Sequence, residues 1–200
     1  MQWLKRLLGS SSTPSASGAG AYSVRRVTLN DPLVIVSPRI GFLNLLGTSA
    51  QPILEEDKAA LRPLFASLEE SGPHPPVCDV LMLYAHLQND GCLTGASNSL
   101  REIIHKSRAP IVIVAAENEV SSYIATGKRP GAGRANLVMT LNRNGPAFTK
   151  FYTQLFGRMF QGKSMAMAWV ELAPQIPGLE HENVPGSIFA AEVSHVVFKS

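Results

Sequence analysis

Asp79-Val80-Leu81-Met82-Leu83-Tyr84-Ala85-His86 and Ile111-Val112-Ile113-Val114-Ala115-Ala116-Glu117-Asn118-Glu119 decide the fold. Each is a short, unbroken apolar run that ends in polar residues. Continuous runs of this kind suit parallel strands buried on both faces, where no solvent side imposes alternation. Between them lie a polar loop with Gly91 and Gly95 and a helical stretch over Ser97–Lys106. Strand, helix, strand is a βαβ unit with a right-handed crossover. Open α/β sheets place their functional residues beyond the carboxyl ends of the strands. His86 and Glu117 stand at two such ends.

Working outward, Leu33-Val34-Ile35-Val36 and Leu137–Leu141 have the same aliphatic character. The expectation is one sheet in which 33–36, 80–84, 111–114 and 137–141 lie side by side. Ser23–Leu29 reads as a first strand or edge hairpin, and Arg39–Pro52 as an apolar loop with glycines at 41 and 47. Glu55–Glu70 reads as a helix with its acids in the first turn, where the helix dipole favours them. Pro63 should kink or split it. Val120–Ala125 reads as a short helix before the glycine-rich basic loop Gly127–Arg134. Pro146–Phe160 is a helix with a broad aromatic core face, and Ser164–Ala173 is a second helix ended by Pro174. After the proline-bounded loop 175–186, Ser187–Ala190 and His195–Phe198 supply closing strands. The fold class is therefore α/β, a mainly parallel sheet flanked by helices. Two hundred residues suit a single such domain over 22–200 behind a short N-terminal region.

Composition narrows the function. An apolar fraction of 45% supplies a full core, and aromatics at 7% make that core mostly aliphatic. Only 16% of residues are charged, below the usual quarter, which favours a partner-covered or oligomeric surface. The net charge of +3 is too small an excess to argue for nucleic acid, and no basic run interleaved with aromatics or zinc-finger spacing is present. Cys78 and Cys92 do not form a secreted disulfide framework and read as reduced side chains. No apolar run reaches the roughly 18 residues that span a bilayer. These features point to the cytoplasm.

Met1–Leu8 stands apart. Trp3, Leu4, Leu7 and Leu8 fall on one helical face, with Lys5 and Arg6 on the other. Such a segment suits a membrane surface or a partner groove. It is too short for a signal-peptide core, and Gln2 excludes a myristoylation signal. Gly9–Gly20 is Ser/Gly/Ala-rich and has linker composition.

Motifs for common chemistries are missing. Gly127–Gly133 lacks P-loop spacing, and Gly162-Lys163-Ser164 lacks the upstream glycine. There is no Gly-x-Ser-x-Gly elbow. The histidines at 74, 86, 105, 181 and 195 have no metal-ligand spacing, so neither a metal nor a cofactor is expected.

The order of the elements resembles the caspase-like superfamily, closest to its CHAT branch. Members carry a strand ending in His-Gly, then a strand of the form Val-Val-Leu-Ser-Ala-Cys-Glu. Leu83-Tyr84-Ala85-His86 matches the first, with Leu87 in place of the glycine. Ile111–Asn118 matches the second, with Glu117 where the cysteine would stand. Leu137-Val138-Met139-Thr140-Leu141-Asn142 is similar to the third strand. Phe151–Leu155 and Gly162–Ala168 are similar to the helical part that follows. The resemblance covers about 33–173 and implies a three-layer caspase-like sandwich. In that family the histidine activates a cysteine at the neighbouring strand end, because thiolate formation needs a base in contact. Glu117 cannot fill that role.

The expectation is therefore a pseudoenzyme, a non-enzymatic binding or assembly module with a protein or peptide partner. Its groove would be lined by His86, Asn89, Asp90, Glu117, Asn118, Glu119, Asn142 and Arg143, with the Glu117 carboxylate available to pair with His86. One alternative is a cysteine hydrolase with a displaced nucleophile, Cys92, six residues after His86 on the same edge. The other is a membrane-peripheral or secretion-associated adaptor that uses Met1–Leu8.

Overall fold

The computed structural model describes residues 32–70, 74–126, 133–173, 184–193 and 195–199. The N-terminal amphipathic segment, the Ser/Gly stretch, the Ser23–Leu29 strand, most of the Gly127–Arg134 loop, most of the 175–186 loop and His181 lie outside the described residues.

The chain runs β1 (Leu33–Val36), β2 (Arg39–Asn44), α1 (Gln51–Leu61), β3 (Ser67–Glu70), β4 (Val80–Tyr84), α2 (Leu100–Ser107), β5 (Ile111–Val114), α3 (Val120–Thr126), β6 (Asn136–Asn142), α4 (Pro146–Phe160), α5 (Met165–Leu172), β7 (Gly186–Ala190) and β8 (Val196–Lys199). The main sheet has the order β3-β2-β4-β5-β6-β7. Its pairs are parallel except β6–β7, which is antiparallel. The βαβ unit forms as expected, with Val80 opposite Ile111 and Leu83 opposite Val114.

The side chains of the central strands divide by a period of two. Val80, Met82, Tyr84, Ile111, Ile113 and Val138 face one layer, filled by α1, α4, α5 and β8. Leu81, Leu83, Val112, Val114, Leu137 and Met139 face the other, where Leu100, Ile103 and Ile104 of α2 meet them. The result is a mainly parallel sheet with helices on both faces. Ser99 fixes the start of α2 through a full capping box: its hydroxyl accepts from the Glu102 N–H, and the Glu102 carboxylate accepts from the Ser99 N–H.

Three local expectations fail. Leu33–Val36 does not join the main sheet; it pairs in parallel with β8 to make a separate two-stranded sheet. Its apolar run is not buried, since Leu33, Val34 and Val36 are exposed. The place it was expected to take belongs to β2, from the stretch expected to be a loop. Gly41 is the reason a strand fits there. A Cβ at residue 41 would lie 2.6 Å from Pro76 Cγ and 2.7 Å from Cys78 Sγ, so β2 approaches the segment entering β4 more closely than a side chain allows. The Glu55–Glu70 helix is also revised. The helix begins at Gln51, with Pro52 in its first turn, and ends at Leu61. Pro63 diverts the chain into a 3₁₀ turn over Arg62–Leu64, and Ser67–Glu70 becomes edge strand β3. Glu55, Glu56 and Asp57 therefore lie in the middle of α1, not in its first turn.

Candidate functional site

After β2 the chain crosses through α1 to one side, to β3. From β4 onward it builds in the other direction, through β5 to β6. The strand order therefore reverses between β2 and β4, and such a switch point opens a crevice at the carboxyl ends of the strands. Two recesses lie along that edge. The larger, about 830 Å³, is bounded by the 86–90 loop after β4, the 117–119 turn after β5, Ser122 of α3 and Leu141. The smaller, about 390 Å³, sits at the switch point, between Leu46, Ser49, Ala50 and Ile53 on one side and Tyr84, Ala115, Ala116 and Arg143 on the other. His86 and Glu117 border both recesses.

His86 and Glu117 do meet, but not as an ion pair. The imidazole Nδ1 is 3.1 Å from the backbone carbonyl oxygen of Glu117. A carbonyl oxygen only accepts, so Nδ1 is the donor of this bond and Nε2 is the nitrogen left for other partners. The Glu117 carboxylate instead accepts the backbone N–H of Arg143 at 2.8 Å. The expected carboxylate–imidazole pair is thus replaced by a backbone clamp that ties the end of β5 to the end of β6.

Asn118 is the second tie. Its side-chain oxygen accepts the Leu87 N–H at 2.7 Å, and its amide nitrogen donates to the carbonyls of Ala85 and Ala116 at 3.2 and 2.9 Å. One buried amide thereby fixes both strand-end loops. Ser122 adds a bond from its hydroxyl to the Leu87 carbonyl at 3.3 Å. The residues that follow Leu87 on its loop, Gln88, Asn89 and Asp90, are exposed and line the recess.

Asn142 and Arg143 have different places from the other expected groove residues. Asn142 lines neither recess; its side-chain oxygen accepts the Asn144 N–H at 2.9 Å and shapes the turn into α4. Arg143 borders the smaller recess and points inward. Its Nη1 donates to the Ala115 carbonyl at 3.0 Å, and its guanidinium lies 3.7 Å from the centroid of the Phe148 ring. Its Nη2 meets both oxygens of the fully buried Asp57, at 3.0 and 3.1 Å. Asp57 also accepts from the Tyr84 hydroxyl at 2.6 Å and the Thr149 hydroxyl at 2.9 Å. This network under the recesses was not expected from the sequence. Its readable signal is an acid on the buried face of α1, between Leu54 and Leu61.

Cys92 lines neither recess. It lies on the return arm of a tight loop in which Leu87 bridges Leu93 and the Gln88 N–H donates to the Cys92 carbonyl. Neither Cys78 nor Cys92 forms a disulfide. Burial raises the Cys78 thiol to about 12. Among the described residues, no group of three or more His, Cys, Asp and Glu is placed to hold a metal ion, and no helix is long and apolar enough to cross a membrane.

The larger recess therefore combines three carboxylates, Asp90, Glu117 and Glu119, with amides, the Ser122 hydroxyl and one imidazole. The acids are spread along the lining and not converged on a point. Such a lining suits an extended cationic group presented with its own hydrogen-bond donors. No family model matches the chain, and no curated protein matches it.

Proposed function

We propose that this chain is a non-enzymatic binding or assembly module, a caspase-like scaffold whose acidic recess takes a Lys- or Arg-bearing segment of a protein partner. The observation that carries this reading is the use of Glu117. At the strand end where the resemblance places a nucleophile, this carboxylate accepts the Arg143 backbone N–H and so serves the framework. The surrounding acids then supply complementary charge for a basic side chain. The resemblance supports the same conclusion, because the thiol that its chemistry requires is replaced by a carboxylate.

The test is titration of the full chain with a fluorescein-labelled peptide rich in Lys and Arg, beside an acidic peptide of equal length. The basic peptide should bind, and raising the salt should weaken it. Glu119→Gln combined with Asp90→Asn should weaken binding at least tenfold. Equal affinity for both peptides, or indifference to the two substitutions, would sink the proposal.

A further inference from the structure

The parallel sheet gives this molecule two poles. Strands β4, β5 and β6 all end near the acidic recess, so their opposite ends define a second edge, on the order of 25 Å away along β5 and its flanks. That second edge is cationic. A hollow of about 400 Å³ there is lined by Ile104, His105, Lys106, Arg108, Gly133 and Arg134. Lys106 lies in the last turn of α2, Arg108 is the left-handed residue that caps it, and Arg134 precedes β6. Gly133 brings them together. A Cβ there would lie 2.4 Å from the Arg101 carbonyl oxygen and 2.6 Å from the His105 nitrogen, so only glycine lets the 133–134 segment close onto α2.

Each pole also carries exposed apolar side chains. At the acidic pole they are Val120 and Ile124, 53% and 62% exposed, one turn apart on α3 beside Glu119. At the cationic pole Val77 is 50% exposed, next to Cys78, whose N–H donates to the Ser107 carbonyl at the end of α2. Opposite charge bordered by apolar surface is the pattern of a docking face, with the charges giving register and the apolar rim giving contact area.

We propose that the acidic recess receives the cationic pole of a second copy of this chain, so that copies associate head to tail. This rests on the reading of the recess as a site for basic side chains and names its partner. The two faces are different, so the contact is heterologous and each copy retains one open pole for the next.

The experiment is sedimentation velocity on the full chain across a concentration series. At low salt the weight-average mass should rise with concentration beyond twice the 21.5 kDa of one chain, and it should fall to 21.5 kDa at high salt. Glu119→Lys with Ile124→Lys blocks the acidic face, and Lys106→Glu with Arg134→Glu blocks the cationic face. Among the described residues, these side chains make only the Lys106 Nζ contact to Asn98 at 2.9 Å and a long Ser121–Glu119 contact, and an unchanged melting temperature verifies that they do not brace the fold. Each variant alone should be monomeric. An equimolar mixture should recover dimers and stop there, because one good acidic face and one good cationic face remain. A wild-type chain that stays monomeric at low salt, variants that associate like wild type, or a mixture that recovers nothing would each overturn the proposal. The labelled basic peptide is then titrated into the Lys106→Glu/Arg134→Glu chain, whose recess is intact. Peptide binding there, with a wild-type chain that stays monomeric at low salt, would overturn the head-to-tail contact alone. Failure of both would also overturn the binding-module reading.

Discussion

Arg143 and Asp57 form a buried ion pair directly under the strand ends, with Arg143 Nη2 at 3.0 and 3.1 Å from the two Asp57 oxygens and Asp57 wholly inaccessible. The same arginine holds the Glu117 carboxylate through its backbone N–H and the Ala115 carbonyl through its side chain. One residue thus links α1, the end of β5 and the recess. A charge pair beneath the strand ends thus braces the residues around the recess.

Replacing Asp57 by Asn should cost about 3–5 kcal/mol, because it leaves a nearly buried guanidinium without its counter-charge while changing little volume. Urea unfolding followed by circular dichroism gives that difference directly. Arg143→Met combined with Asp57→Asn should recover part of the loss, since the uncompensated charge is then gone. A single Asp57→Asn loss below about 1 kcal/mol would mean that the pair does not hold the site.

The thiols give a second measurement. Cys92 is half-exposed and Cys78 is buried with its thiol raised to about 12. At pH 8 a thiol reagent should label Cys92 in the native chain and both cysteines only in denaturant. A thiol-reactive peptide electrophile should label Cys92 at the same slow rate in wild type and in His86→Ala. Labelling that disappears with His86 would promote Cys92 to a nucleophile and overturn the pseudoenzyme reading.

Stability should fall on the alkaline side. Burial holds the Cys78 thiol above its unfolded value, and burial with the Asp57 carboxylate does the same for the Tyr84 phenol, as burial does for Tyr152. These groups favour the folded chain in their neutral forms. Below about pH 9 folded and unfolded chains hold the same protons on them, and their contribution is level. Above it the unfolded chain releases the Cys78 proton while the folded chain keeps it, so stability falls by about 1.4 kcal/mol per pH unit up to about 12. The two tyrosines steepen the fall above about pH 10. Cys78→Ala should shift the onset upward by about one pH unit, read by unfolding at fixed denaturant across the pH series.

The parts of this fold that were legible in the sequence are those where burial alone decides. β4, β5 and β6 lie in the sheet interior, so their mainly aliphatic runs, interrupted in β6 by Thr140, have no other good solution. The ends of α4 are equally plain, with Pro146 at its first turn and Gly162 at positive φ just beyond it. Legibility ended where partners come from far along the chain. Leu33–Val36 has the composition of a central strand, but its partner is β8, over 150 residues later, and nothing local reports that. β2 was obscured by Gly41, whose meaning lies in its contact with Pro76 and Cys78. At the site, the strand-end positions His86, Asp90, Glu117 and Glu119 follow from topology. The roles of Asn118, Asp57 and Arg143 depend on hydrogen bonds between elements, which periodicity does not encode.

Two glycine substitutions test that distinction with opposite signs. Gly41 in β2 has no room for a Cβ, with Pro76 Cγ at 2.6 Å and Cys78 Sγ at 2.7 Å, and the proline ring cannot rotate away. Gly41→Ala should therefore force β2 and the segment entering β4 apart, at a cost of about 1–3 kcal/mol. Gly157 lies inside α4, and a Cβ there meets nothing within 4 Å. Gly157→Ala removes the excess freedom of glycine from a helix interior and should stabilise by about 0.5–1 kcal/mol. In a domain of this size the first should lower the melting temperature by roughly 2–10 °C and the second raise it by roughly 1–4 °C. Differential scanning fluorimetry on the two variants beside wild type reads both shifts. A neutral Gly41→Ala would mean that β2 does not pack as closely on Pro76 and Cys78 as described. The assignment of the Arg39–Asn44 stretch to the main sheet would then be the first element to revise.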